Sequence, residues 1–190
     1  DTHAHVDALR RLEPLIRAER STHADALLID AGDTLQGTFY ATDPAGVPMR
    51  IANELGVTLW VPGNHDFEIF PLRFADFRGT VLGANWSTPE FRPTSWALIR
   101  RGVYRIAFIG LTEHNLPSRL PLDSPIRFEP PEDALRRIMP EVRNTRPDLI
   151  VLICHDGPYF RGGSLHKTLR PYPEIDLVIG GHTHQENAGE

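Results

Sequence analysis

Leu149-Ile150-Val151-Leu152-Ile153-Cys154-His155-Asp156 is a run of six apolar residues followed at once by an imidazole and a carboxylate. An unbroken apolar run of that length reads as a buried strand. Its ending carries the information. Ala26-Leu27-Leu28-Ile29-Asp30 leads in the same way to Gly32-Asp33, and Thr58-Leu59-Trp60-Val61 to Gly63-Asn64-His65-Asp66. Ile175-Asp176-Leu177-Val178-Ile179 leads to Gly181-His182-Thr183-His184. Polar groups gathered at the carboxyl ends of strands mark the ligand side of an open α/β sheet.

A fifth cluster, Asp1-Thr2-His3, opens the chain. Leaving His65 aside, the clusters hold Asp1, Asp33, His3, His155, His182, His184 and Asn64. That set meets the needs of two adjacent divalent cations when one carboxylate bridges them. Nitrogen and oxygen donors without thiolate suit Zn, Mn, Fe or Co. A paired-metal site points to hydrolysis, most often at phosphorus. Each cluster alone is common by chance, and a strand-end histidine is ordinarily a hydrogen-bonded surface residue. The order and the strand context carry the reading.

Residues two apart in an extended segment face one way. Asp1 and His3 are therefore expected to reach one metal together. His182 and His184 are expected to face one side and serve two neighbouring metals. Asp33 follows a glycine, where the backbone turns sharply enough to present a bridging carboxylate. Asn64 offers a neutral amide oxygen. His65 diverges from its neighbour Asn64 and is expected to face substrate, where it donates a proton or stabilises charge. It needs a carboxylate to orient it, and Glu68 and Asp66 are the candidates.

The chain has 190 residues, enough for one domain with a sizeable core. Its net charge of −5 gives no electrostatic case for binding a nucleic-acid backbone. No apolar stretch is long enough to cross a membrane. Cys154 is the single cysteine, so no intrachain disulfide forms. It faces away from His155 and is expected to pack as a small hydrophobe.

The spacing of Val6, Leu9, Leu12, Leu15 and Ile16 predicts a helix over 4–20, with Pro14 inside it. Strands are expected at 26–31, 58–61 and 80–84, and a helix at 47–56 with Pro48 near its start. Residues 96–101 and 103–110 read as a hairpin turning at Arg101-Gly102. Residues 111–130, with four prolines, read as a loop. A helix over 131–144 and strands at 148–154 and 175–180, around a glycine-bearing loop 156–172, complete a mixed α/β sheet with helices outside. Asp1 is expected to close a strand that would precede it. A charged α-amine beside the metals would repel them. The chain therefore reads as residues 1–190 of a catalytic domain cut at both ends.

These five blocks, in this order, resemble those of the calcineurin-like metallophosphoesterases. Gly32-Asp33-Thr34-Leu35-Gln36-Gly37-Thr38 and Gly63-Asn64-His65-Asp66-Phe67-Glu68 are most similar to the bacterial 5′-nucleotidase and 2′,3′-cyclic-nucleotide phosphodiesterase branch. In the second block the two acids are exchanged. The resemblance spans essentially the whole chain. It implies a four-layer αββα sandwich with mixed sheets and two divalent ions such as Zn or Mn. Asp1, His3, Asp33 and His184 would hold one ion, and Asp33, Asn64, His155 and His182 the other. His65 would assist the phosphoryl or leaving group, with Glu68 three residues on as its partner and Asp66 as the alternative. Asn64 and Asn85 would approach substrate, as would His114-Asn115, with turn hydrogen bonding as the plain alternative for Asn85 and His114-Asn115. His5, His23 and His166 are left as surface residues. The implied reaction is phosphoric ester hydrolysis on a small-molecule ester, a nucleotide, in a periplasmic or extracellular protein. Family nucleotidases carry a carboxyl-terminal nucleoside-binding domain, which residues 1–190 do not include. Relatives acting on cyclic nucleotides, nucleotide sugars or sulfur esters share the fold. A non-catalytic scaffold usually lacks some ligands, and here all are present.

Overall fold

The computed structural model describes residues 1–35, 46–68, 74–113, 120, 123–156 and 164–184. Gln36-Gly37-Thr38, His114-Asn115, Pro117 and Pro121 lie outside the described residues, as do 157–163 of the glycine-bearing loop and 185–190. In chain order the elements are α1 (Val6–Thr22), β1 (Ile29–Asp30), α2 (Val47–Leu55), β2 (Leu59–Trp60), β3 (Thr80–Val81), β4 (Trp86–Ser87), β5 (Trp96–Arg101), β6 (Tyr104–Thr112), β7 (Arg127–Phe128), α3 (Pro131–Asn144), β8 (Leu149–His155), α4 (Ser164–Leu169) and β9 (Leu177–Gly180).

Two sheets carry the architecture. One is parallel, in the order β1-β2-β3. The other is mixed, in the order β5-β6-β8-β9, with an antiparallel hairpin at β5-β6 and parallel pairs beyond it. The hairpin turns at Gly102-Val103, where Gly102 takes the left-handed φ of +57° that a side chain disfavours. β4 and β7 form a separate antiparallel pair.

The apolar run of β8 is explained by burial on both faces. Val151 and Ile153 point at the parallel sheet and meet Leu59, Val61 and Leu82. Ile150, Leu152 and Cys154 point outward onto Ala134, Leu135, Ile138, Met139 and Val142 of α3. On the far side, Trp60 and Val81 pack with Met49 and Ala52 of α2 and with Phe67, Phe74 and Phe77. The layers are thus helix, sheet, sheet, helix, as the resemblance implied. Each large aliphatic side chain taken out of water contributes about 1.5–3 kcal/mol.

Two expectations need correction, and the helix read over 4–20 is present but buries less than its apolar spacing offers. In α1 only Leu9 is buried; Leu12 and Leu15 stay exposed, because α1 meets little beyond Ile51 and Leu55 of α2. Arg20 helps hold that contact by donating to the carbonyls of Leu55 and Gly56 at 2.7 and 2.8 Å. β7 lies within the stretch read as loop. It pairs with β4, so its order depends on a partner 40 residues away rather than on local pattern. α4 lies within the loop read over 156–172.

Cys154 is fully buried, and burial pushes its thiol well above the usual range. It is expected to resist alkylation in the folded protein and to react fully in denaturant. Native-state labelling at the rate of a free thiol would show that α3 does not stay seated on β8.

Candidate metal centre

The candidate residues gather where the two sheets end together. Asp33 follows β1, and Asn64 opens a single 3₁₀ turn, Asn64–Phe67, after β2. His155 closes β8, and His182 follows β9. The amino-terminal segment is tied to this point by the backbone. Thr2 and His3 donate their N–H groups to the Asp33 carbonyl at 3.1 and 2.7 Å. The Asp1 carboxylate accepts the His182 N–H at 3.0 and 2.9 Å, joining clusters from opposite ends of the sequence.

These segments are turns, not the extended stretches expected from their spacing. Among the described residues, His3, Ala4, Asp33, Arg146, His182 and His184 are the non-glycine residues at positive φ. Four of these six are candidate ligands. His182, at φ 78°, is the centre of a γ-turn closed by Thr183 N–H to Gly181 O at 3.0 Å, the strained variety. Strain of about 1–3 kcal/mol per residue persists only where surrounding structure imposes it, and it concentrates at functional sites.

The side chains converge all the same. Asp33 Oδ2 is 3.1 Å from His155 Nε2 and 3.7 Å from His3 Nε2. His3 Nε2 is 3.0 Å from His184 Nε2, and Asn64 Oδ1 is 3.0 Å from His182 Nδ1. Among the described residues three overlapping groups result, each with ligand atoms within 4.8 Å of one another: Asp1, His3 and His184; His3, Asp33 and His65; Asp33, His155 and His182.

The donors fit a cation. His155 Nδ1 stands 2.7 Å from the Ala31 carbonyl, which only accepts, so Nδ1 carries the proton. That leaves Nε2 facing Asp33, buried and without a hydrogen-bond partner. Two lone-pair donors turned toward each other need positive charge between them. Burial works against charge on both groups. The neighbouring imidazole nevertheless holds the Asp33 carboxyl down at about 2, and Asp33 raises the His155 pKa.

Close approach of the three strand ends depends on glycine. A Cβ on Gly63 would lie 2.3 Å from Asp33 Oδ1, and one on Gly32, at φ +104°, 2.6 Å from the Gly63 N.

His65 donates its backbone N–H to Asp33 Oδ1 at 2.9 Å. Its ring Nδ1 lies 3.1 Å from Glu68 Oε2. Glu68 is therefore the adjacent carboxylate, despite its extra methylene. Asp66, the alternative, is turned away and buried. It accepts from Thr34 N and Leu35 N through Oδ1 at 2.9 and 2.7 Å, and from Gly63 N through Oδ2 at 2.8 Å. It laces the loop after β1 to the loop after β2. Asn85 is buried and takes the hydrogen-bonding alternative rather than standing free toward the site. Both ends of its amide are spent on Thr112, donating to its carbonyl at 2.9 Å and accepting its N–H at 3.0 Å. Thr112 in turn donates to the Pro62 carbonyl at 2.7 Å, so this chain of bonds joins the two sheets at the site.

Sequence reasoning passed over Glu113. It is buried, with Oε1 3.9 Å from His182 Nε2. It stands directly after β6, so the strand-end rule would have found it had the strand been read two residues longer.

The chain belongs to the calcineurin-like phosphoesterase family, whose pattern matches residues 1–186. Members of this family use divalent metal ions, and the donor groups for them are assembled here. The chain is similar to the trifunctional nucleotide phosphoesterase protein YfkN of Bacillus subtilis, with 28% identity over 97% of this chain and 15% of that protein. A putative 5′-nucleotidase from Staphylococcus aureus, solved with alpha-ketoglutarate, shares the fold at a TM-score of 0.81 and 21% identity, over 94% of this chain and 40% of that one. The sulfate thiohydrolase SoxB of Thermus thermophilus matches at a TM-score of 0.77 and 25% identity, over 93% of this chain and 34% of that one. The chain thus spans well under half the length of each of these relatives.

Asp66→Asn replaces a triple acceptor with an amide that sets its own donors against buried N–H groups. It is expected to lower folding stability by at least the ~1–3 kcal/mol of one unsatisfied buried group, read from denaturant unfolding of the metal-free chain. Unchanged stability would show that Asp66 has another role.

Proposed function

We propose that residues 1–190 are a catalytic domain hydrolysing phosphate esters of nucleotides, 5′-nucleotidase-like, with two divalent cations. The observation that supports this is Asp33 Oδ2, 3.1 Å from His155 Nε2 and 3.7 Å from His3 Nε2, within reach of both proposed ligand sets as a bridging carboxylate would need to be. Asp1, His3, Asp33 and His184 form one ligand set, and Asp33, Asn64, His155 and His182 the other. The cations supply Lewis-acid polarisation of the phosphoryl group and activation of water. Two carboxylates against two dications leave about two positive charges, complementary to a phosphate monoester dianion. The neutral Asn64 keeps that balance from falling further.

Glu68 accepts from Nδ1 and sets the direction of His65, and in the imidazolium form the ring carries a second proton on Nε2, the nitrogen left to meet the substrate. From there it donates to a phosphoryl oxygen or to the leaving alkoxide. The backbone bond from His65 to Asp33 keeps this ring in register with the ligand cluster. Relatives named for nucleotide phosphoester hydrolysis support the substrate class. The likeness to a sulfate thiohydrolase supports a second reading, a sulfur ester in place of the phosphate ester.

The test is product release by the Mn- or Zn-reconstituted chain from nucleoside 5′-monophosphates, 2′,3′-cyclic nucleotides, nucleotide sugars and a sulfur ester. Phosphate from the 5′-monophosphates is expected. Turnover of the sulfur ester alone would establish the second reading instead. Asp33→Asn is expected to lose both cations and essentially all activity; full metal content by elemental analysis would rule out the bridge. His65→Asn is expected to keep both cations and slow turnover by about 10²–10⁴. Loss of metal in that variant would make His65 a ligand.

A further inference from the structure

His182 is held from several directions. Its backbone sits in the strained γ-turn, and its N–H is fixed by the Asp1 carboxylate. Its ring Nδ1 faces Asn64 Oδ1 at 3.0 Å, and its Nε2 faces Glu113 Oε1 at 3.9 Å. His155 presents the opposite nitrogen. Its Nδ1 donates to the Ala31 carbonyl, and Nε2 is turned to Asp33.

A neutral imidazole has one proton and one lone pair, and the group beside each nitrogen decides which it keeps. For His155 a backbone carbonyl decides. For His182 two acceptors compete, the amide oxygen of Asn64 and the carboxylate of Glu113. Asn64 Oδ1 is itself a candidate ligand, so a cation shared by Nδ1 and Oδ1 leaves the proton to Nε2 and Glu113. Asp156, also buried, adds negative charge near the same ring. Glu113 Oε1, at 3.9 Å, lies beyond hydrogen-bond distance of Nε2 and acts on it through its charge.

We propose that Glu113 is a positioning residue for His182: its negative charge favours the proton on Nε2 and leaves Nδ1 for the cation that Asp33, Asn64 and His155 would share. This rests on the dinuclear reading of the cluster. A carboxylate behind a ligating histidine fixes its tautomer and raises its basicity, and losing such a partner costs about 10–100-fold in metal affinity. Only one of the two cations should feel the loss, since His182 belongs to one of the two proposed ligand sets alone.

The test is Mn²⁺ titration of the metal-free chain, with bound ion followed by electron paramagnetic resonance and by calorimetry. Wild type is expected to bind two ions. Glu113→Gln is expected to keep the metal-free melting temperature and to bind one ion about 10–100-fold more weakly, the other unchanged. Glu113→Asp retains the carboxylate and is expected to fall between. In a His182→Ala background, Glu113→Gln should cost nothing further, because it acts through the missing ring. A merely structural Glu113 would weaken binding additively in that background and overturn the proposal. Wild-type affinities in Glu113→Gln would overturn it too. Fewer than two ions in wild type would instead refute the dinuclear reading, and this role with it, before any variant is compared.

Discussion

One buried carboxylate organises the site. Asp33 has its Oδ1 occupied by the His65 N–H and its Oδ2 between two histidine nitrogens, while its carbonyl anchors Thr2 and His3. Each of these depends on a backbone turn that an L-residue resists, with φ at 52°. The turn is shaped from both sides. Asp30 accepts from Gly32 N at 2.9 Å and from the Thr34 hydroxyl at 2.7 Å. Asp66 accepts from Thr34 N and Leu35 N. Three aspartates thus lie around one loop, two of them consumed in holding the third. Burial raises the Asp33 pKa, and His155 and the His65 N–H more than offset it, holding the carboxyl at about 2.

Such an arrangement is locally unfavourable. Left-handed ligand residues, a lone pair facing a carboxylate and crowded glycines all oppose folding. The offset comes from the layers beneath. Leu59, Val61, Leu82, Phe108, Val151 and Ile153 form an apolar interface between the sheets. The Asn85–Thr112–Pro62 bonds lock the sheets at the end where the ligands emerge. The rigid part of the protein therefore stands directly behind the strained part, as a site built on precise distances requires.

The main strands and helices were legible in the sequence because each rests on a local signal; the four layers came from the family resemblance, and the candidate ligands from where the apolar runs end. The run 149–154 has to be a buried strand whatever its neighbours, and a donor right after such a run has to emerge at the sheet's edge. What was not legible depends on partners distant in sequence. β7 exists only because β4 lies beside it. Asp66 and Glu68 are equivalent on paper, and only the path of the loop after β1 decides which one faces His65. Asn85 reads as a strand-end polar group like the ligands, yet the end of β6 claims both sides of its amide. The spacing of His3 and His184 suggested extended segments, since nothing in the sequence marks a positive φ at histidine.

The ligands come from both sheets. Asp33 and Asn64 belong to the parallel sheet, and His155 and His182 to the mixed one. The two sheets are joined through their middle by apolar contact, which fixes separation but not register, because the hydrophobic effect is non-directional. Register at the ends is set by directional groups: the carboxylate–imidazole approach, the Asp1 bond to His182 and the Thr112 bond to Pro62. A cation between Asp33 and His155 would extend that set with a bond stronger and more demanding of geometry than any of them. The same residues that would bind metal for chemistry are thus the ones that align the sandwich at its open end. For that reason the donor positions tolerate their backbone strain only as a group.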